Sequence, residues 1–294
     1  MIAARGIADI YSYIGYDAVA VGPYDLQAGT AFLKETDASG FPWVSANLVD
    51  GSGAPVCQPY RKITRNGFTV AVIGITGALA PLPETARIAD WGTVLPALLK
   101  TLSPTSDLIV VLSSLADSDN RLLLAQHPEI NILLGADRRF GNVHPRIVNA
   151  TLTSQVLSQG KYIGRLDLDW QKDRSWFQDI NQEMAVLKRQ LAKIDRRIQR
   201  AEILQRSSGS ENSIAQMRQQ KEVVNQRLAA LAGQQKTAED GASANTFSGS
   251  FVALSGDRPE SREVNAMLEK LQEEIARSYV AHPETDGVSA SCGE

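Results

Sequence analysis

Between Ile7 and Ser158, short β-branched runs alternate with stretches of helical character, and this alternation restricts the chain more than any other feature of it. It is the signature of a sheet covered by helices. The runs predict strands at Asp17–Val21, Trp43–Asn47, Thr69–Ile75, Asp107–Leu112, Asn131–Leu134, Thr151–Leu157 and Tyr162–Leu168, and helices at Ala4–Ile14, Trp91–Leu102 and Asn120–Gln126. Within Pro59–Ile75, Arg65-Asn66-Gly67 separates two β-rich runs. Asn-Gly readily takes the positive φ of a tight turn, so a hairpin is expected there and the sheet should be mixed.

At Gln171 the pattern changes. Apolar residues fall at Ile180, Met184, Leu187, Leu191, Ile194, Ile198 and Ala201, a 4-3-4-3 spacing that makes one seam along a helix. After Ser207-Ser208-Gly209-Ser210 a second seam follows at Ile214, Met217, Val224, Leu228 and Leu231, with Lys221 at one of its positions. Two seams joined by a short polar loop predict an antiparallel helical coiled-coil hairpin over 171–233, closed by Gly233. At the rise of a helix, each arm would extend about 30–40 Å. A linker, a closing strand at Thr246–Leu254 and an amphipathic helix at Glu260–Tyr279 fill 234–280, and 281–294 reads as a flexible tail.

Bulk properties remove several classes of function. The net charge is −3, from 30 basic and 33 acidic residues, so no global field favours nucleic acid or an anionic membrane. No stretch has the roughly 18 consecutive apolar residues of a membrane span. Arg5 and Asp9 interrupt the apolar character of the first residues, unlike a secretory signal peptide. The two cysteines, Cys57 and Cys292, are too few for a disulfide framework.

Five segments in order carry a family resemblance: Gly15-Tyr-Asp-Ala-Val-Ala-Val-Gly22, Phe41-Pro-Trp-Val-Ser-Ala-Asn47, Val70-Ala-Val-Ile-Gly-Ile-Thr76, Asp107-Leu-Ile-Val-Val-Leu-Ser113 and Gly160-Lys-Tyr-Ile-Gly-Arg-Leu-Asp-Leu168. Together they resemble 5′-nucleotidase metallophosphoesterases over residues 14–170. The resemblance implies an α/β fold, a layered mixed-sheet sandwich over 1–170 that is incomplete at its N-terminal side and into which the helical hairpin is inserted. It also implies a pair of divalent metals at strand ends that activate water against a phosphoester, and an extracytoplasmic, periplasmic setting.

The family's metal-site positions can be followed one at a time. Its Gly-Asn-His-(Asp/Glu) loop is similar in place to Gly22-Pro23-Tyr24-Asp25, where neither the metal-binding Asn nor the catalytic His survives. Its Ser-His appears as Ser113-Ser114, leaving only a hydroxyl, on Ser114, to meet a metal. Its Gly-His-x-His loop appears as Gly135-Ala136-Asp137-Arg138-Arg139, where Asp137 can touch a metal and Arg139 cannot. The family's earlier Asp-x-His and Gly-Asp motifs have no counterpart ahead of the matching region. The expectation is a degenerate, catalytically inactive domain, with the metal pair lost, acting as a scaffold or ligand-binding module.

Other readings stay open beside it. A phosphohydrolase completed by upstream residues is one, and a coiled-coil interaction protein is another. Asp25, Asp117, Asp119 and Asp137 lie near strand ends, where they either form a residual metal or anion site or cap turns and helices. Arg138 and Arg139 can bind an anion electrostatically. His127 and His144, each followed by proline, read as loop residues. The hairpin, with Lys188, Arg189, Lys193, Arg196, Arg197, Arg200 and Arg206, is suited to homodimerisation or to docking an acidic partner. Cys292-Gly-Glu matches the start of a Cys-x-x-Cys-His haem attachment pentapeptide. Such domains followed by multihaem cytochrome repeats occur in anaerobic respiring bacteria, and the resemblance implies haem c only in a longer parent redox protein.

Overall fold

A computed structural model describes residues 2–78, 86–157, 160–177, 180–205, 211–235, 244–254 and 260–281. The chain divides into two compact units, Met1–Leu168 with Phe247–Glu294, and Asp169–Thr246.

The first unit is built on a six-stranded mixed sheet. Its strands are β4 (Tyr60–Arg65), β5 (Phe68–Ile75), β7 (Leu108–Ser113), β8 (Ile132–Gly135), β10 (Thr151–Gln155) and β9 (Val143–Val148), in that spatial order. The four inner strands are parallel, and β4 and β9 are antiparallel edges. The expected hairpin joins β4 to β5, with Arg65 paired to Phe68 and both turn residues at positive φ, Asn66 at 52° and Gly67 at 80°. Ala71, Ile73 and Ile75 of β5 alternate into a core with Ile109 and Val111 of β7. Helix α3 (Trp91–Leu102) covers that face with Leu95, Leu99 and Leu102, and α4 (Asp117–Gln126) covers it with Leu123 and Leu124.

Shorter strands complete this unit. β1 (Val19–Ala20) pairs in parallel with β2 (Trp43–Val44), and β3 (Leu48–Asp50) pairs antiparallel with β6 (Ala86–Ile88). The two longer strands predicted at Asp17–Val21 and Trp43–Asn47 are therefore cut short. From Ser45 to Asn47 the backbone leaves the ladder because its side chains are spent on a buried network described below. A second core, with Val21, Phe32, Leu33, Phe41, Trp43 and Leu48, forms beneath α2 (Gly29–Ala38). Cys57 is buried in it, and burial together with the Asp37 charge pushes its thiol up to about 12. Gly74 lets β2 approach β5, since a Cβ there would run into the Val44 carbonyl. β11 (Tyr162–Asp169) and β12 (Thr246–Ala253) form a two-stranded ribbon, and α1 (Ile2–Ile14) packs on α7 (Arg262–Ala281).

In the second unit, α5 (Ile180–Gln205) and α6 (Glu211–Gln235) run antiparallel. Ile194, Ile198, Ile214 and Val224 are buried between them, flanked by Leu187, Leu191, Ala201, Met217 and Leu228. Ion pairs Arg218–Glu202 (2.9 Å) and Lys221–Asp195 (2.7 Å) tie the helices across the seam, so the lysine at a seam position reaches an acid of the other helix. Gly233 does not end α6, which continues to Gln235; one glycine costs a helix only about 1 kcal/mol relative to alanine. The base of the pair is fastened by Asn245, which is almost wholly buried. Its amide donates to the Arg174 carbonyl (2.6 Å) and its side-chain oxygen accepts from the Gln171 N–H (2.6 Å).

Candidate functional site

Because β5, β7 and β8 are parallel, the loops that follow Ile75, Ser113 and Gly135 leave one edge of the sheet. Ligands of open α/β sheets gather at such an edge. A buried network holds the start of this edge. The Thr76 hydroxyl donates to the Val21 carbonyl (2.8 Å) and lies 2.7 Å from the Ser45 hydroxyl. The Asn47 amide donates to the Thr76 carbonyl (2.9 Å) while its oxygen accepts from the Thr76 N–H (2.8 Å). These bonds draw the segment after β1 toward the end of β5.

That segment contains Tyr24 and Asp25. The Asp25 carboxylate accepts from the Gly22 N–H (2.7 Å), closing a tight turn before a short helical turn at Asp25–Ala28. Burial pushes its carboxyl above the ordinary value, and the Gly22 bond works in the opposite direction. Tyr24 is exposed, and the Arg138 guanidinium lies over its ring at 4.5 Å from the centroid. The loop after β1 and the loop after β8 thus meet through a cation–π contact.

After β7, both serines are engaged in local structure. Ser113 donates to the Asn120 side-chain oxygen (2.7 Å) and accepts from the Leu115 N–H (3.2 Å). Ser114 accepts from the Gly77 N–H (2.8 Å) and donates to the Ile75 carbonyl (3.4 Å).

After β8, Asp137 is the most committed group. Its side chain is 8% exposed, whereas that of Arg139 is 66% exposed. Arg139 grips the carboxylate through Nη2 (2.6 Å) and Nε (3.0 and 3.2 Å), its own N–H adds a bond of 3.1 Å, and the Asp117 N–H adds one of 3.0 Å. These donors, the Arg139 side chain first, hold the Asp137 carboxyl well below the usual carboxylate range. The loop itself is organised by Gln155. Its side-chain oxygen accepts from the Asp137 N–H (2.9 Å), and its amide donates to the carbonyls of Asp137 (2.8 Å), Phe140 (3.0 Å) and Gly141 (3.3 Å).

Beside this loop lies a cleft of about 180 Å³, walled by Asp117, Arg121, Asp137, Phe140, Arg146 and Gln155 among others. Asp117 and Asp119 occupy the first turn of α4, where a negative charge suits the positive end of the helix, but the N-cap is Ala116 and no side chain caps it; Asp117 also pairs with Arg121 at 2.8 Å. The two histidines, both expected in loops, divide: His127 lies just past the end of α4, and His144 does not lie in a loop. His144 is in strand β9, its ring 5.1 Å from that of Phe251. His127 follows α4 as its C-cap, a buried side chain whose Nε2 has no hydrogen-bond partner. Among the described residues, no group of three or more His, Cys, Asp or Glu is placed to hold a metal ion. Cys292 lies outside the described residues. Sequence reasoning missed Gln155, Asn120 and Arg146; the one signal for Gln155 is a long polar side chain at the end of a strand whose other buried positions are Thr, Leu and Ser.

No protein-family profile matches the chain. In sequence it is similar to a 5′-nucleotidase of Vibrio parahaemolyticus, 40% identical over 81 residues, covering 27% of this chain and 14% of that protein. A 5′-nucleotidase of Vibrio cholerae is 25% identical over 205 residues, 54% of this chain and 36% of that protein. The chain therefore spans between 14% and 36% of the length of these relatives. In fold it is similar to a 5′-nucleotidase of Candida albicans, with a TM-score of 0.55 at 13% identity over 91% of this chain and 44% of that one. The strand-end loops and mixed sheet are those of a metallophosphoesterase fold. Within that class, the relatives it resembles in sequence are 5′-nucleotidases.

Proposed function

We propose that this is a degenerate 5′-nucleotidase-like domain, catalytically inactive, that serves as a scaffold or ligand-binding module. The observation that carries the reading is the ion pair of Asp137 with Arg139. A guanidinium stands where the family places an imidazole ligand, and it is bonded to the one carboxylate of that loop. Donor chemistry points the same way at the other family positions. A divalent pair needs unprotonated oxygen and nitrogen ligands with free lone pairs. Tyr24 faces the Arg138 cation instead, and the Ser114 hydroxyl is taken up by Gly77 and Ile75. These residues do not fit a two-metal centre, so no hydrolytic step is assigned to them.

The name shared by the relatives sets the substrates to test. Phosphate release from a nucleoside 5′-monophosphate and from p-nitrophenyl phosphate is measured with Mn²⁺, Mg²⁺ or Zn²⁺, for the chain and for its Asp137→Asn variant. Both should release phosphate no faster than the metal alone. A saturable, metal-dependent rate that Asp137→Asn abolishes would establish a working phosphohydrolase and end the proposal.

A further inference from the structure

The outward face of α5 carries a row of cations with the same spacing as the seam on its inward face. Arg189, Lys193, Arg196 and Arg200 follow one another at intervals of 4, 3 and 4 residues, and Arg197 lies beside them. All five are exposed; Arg189, Lys193, Arg196 and Arg200 lie on the side of α5 away from the buried Ile194 and Ile198, and Arg197 flanks that side. None has an ion pair among the described residues. The two acids of α5 whose side chains are described, Asp195 and Glu202, are both turned to α6, where Lys221 and Arg218 neutralise them. Among the described residues, the outer row is left without an ion pair on its own helix. Like charges three and four residues apart repel along a helix, so the row weakens the very element that displays it.

We propose that this row is a docking surface for an acidic α-helix of another protein, one that presents carboxylates along a single face at matching intervals. The row is narrow, confined to one face of a single helix, and from Arg189 to Arg200 it is about 16 Å long at the rise of a helix. A helix laid alongside repeats its own side chains at the same interval, so one register pairs every cation with a carboxylate. Arginine, with a planar fork that takes a carboxylate in two bonds, dominates the row. Nucleic acid is disfavoured because a duplex offers phosphates on both sides of a groove and rewards a broad basic patch. A lipid surface is disfavoured because interfacial helices also bury an apolar face, and the apolar face of α5 is already covered by α6.

The test uses the full chain and fluorescein-labelled alanine-based helical peptides read by anisotropy. One peptide carries glutamate at 4-3-4-3 spacing, and a second has the same composition with its glutamates distributed around the helix. The ordered peptide should bind at least about tenfold more tightly than the distributed one, with affinity that falls as salt rises. The charge-reversed variant R189E/R196E/R200E should lose the ordered peptide and bind instead a peptide with lysine at the same spacing. That gain of function shows that the variant remains folded. Equal binding of the two glutamate peptides, no binding of either, or tighter binding of duplex DNA or of phosphatidylserine vesicles would overturn the proposal.

Discussion

The loop after β8 and the outer face of α5 both present arginine, and they treat its charge in opposite ways. Arg139 is folded back onto a carboxylate with 8% of its surface exposed, inside a loop several of whose backbone groups are met by the side chains of Gln155 and Asp137. On α5, Arg189, Arg196 and Arg200 stand on an exposed face and make no ion pair among the described residues, Arg196 donating only to the Ala192 carbonyl of its own helix. The first arrangement has the character of finished structure, because removing either charge leaves the other unmatched. In the second, the match is left to something outside the chain. The same residue type thus marks an internal counter-ion in one place and an unanswered surface in the other.

Substitution at Gln155 should break the first half of that comparison most severely. Gln155→Leu keeps the side chain's bulk but takes away the bonds that Gln155 makes to the Asp137 N–H and to the Phe140 and Gly141 carbonyls. Each buried group left unmade costs about 1–3 kcal/mol. Thermal unfolding should show the largest fall in midpoint of any variant considered. Ile198→Ala should act only on the helix pair, at about 2 kcal/mol, because it empties part of a seam flanked by solvent. Its mark is an early loss of helical circular dichroism in a melt whose later, mixed α/β transition stays in place; a single shifted transition would mean that the two compact units unfold as one.

Asp137→Asn is a milder change whose size depends on pH. The folded carboxyl lies below its ordinary value, so the stability it contributes is full above the unfolded value of about 4 and is lost as pH falls through the folded value. The variant should therefore melt below the wild type at pH 7, and the difference should shrink progressively as the solution is acidified below pH of about 4. A difference that stays constant down to strongly acidic pH would show that the Arg139 charge is not what stabilises the carboxylate.

Local chemistry made much of the fold legible. Trp91–Leu102 is helical over the expected span because Asp90 caps it, accepting from the Gly92 N–H, and its leucines repeat toward one face. The Asn66-Gly67 turn follows from two residues that tolerate positive φ. Helix α2 left no comparable signal: Ala28 offers no side-chain cap, and the helix exists because Phe32 and Leu33 are buried by distant elements. The site divides in the same way. Motif order alone singled out Tyr24, Ser114 and Asp137–Arg139 as candidates. What those side chains touch could not be read, because Gln155 acts on backbone groups 14 to 18 residues away and Asn245 on groups 71 and 74 residues away. A side chain that satisfies backbone at such separations has no periodic signature.

The smallest expected effect sharpens the second half of the comparison. Arg196→Gln with Arg200→Gln removes a repulsive pair four residues apart and breaks no ion pair among the described residues. Such pairs cost a helix about 0.2–0.5 kcal/mol, so the double variant should be as stable as the wild type or slightly more so in low salt, with the gain fading as salt screens the row. A natural surface row whose removal stabilises the protein is retained against its own cost to folding, which is the behaviour expected of a docking face. A clear loss of stability would instead place Arg196 and Arg200 in contacts that hold the helix pair together, and the contrast with Arg139 would disappear.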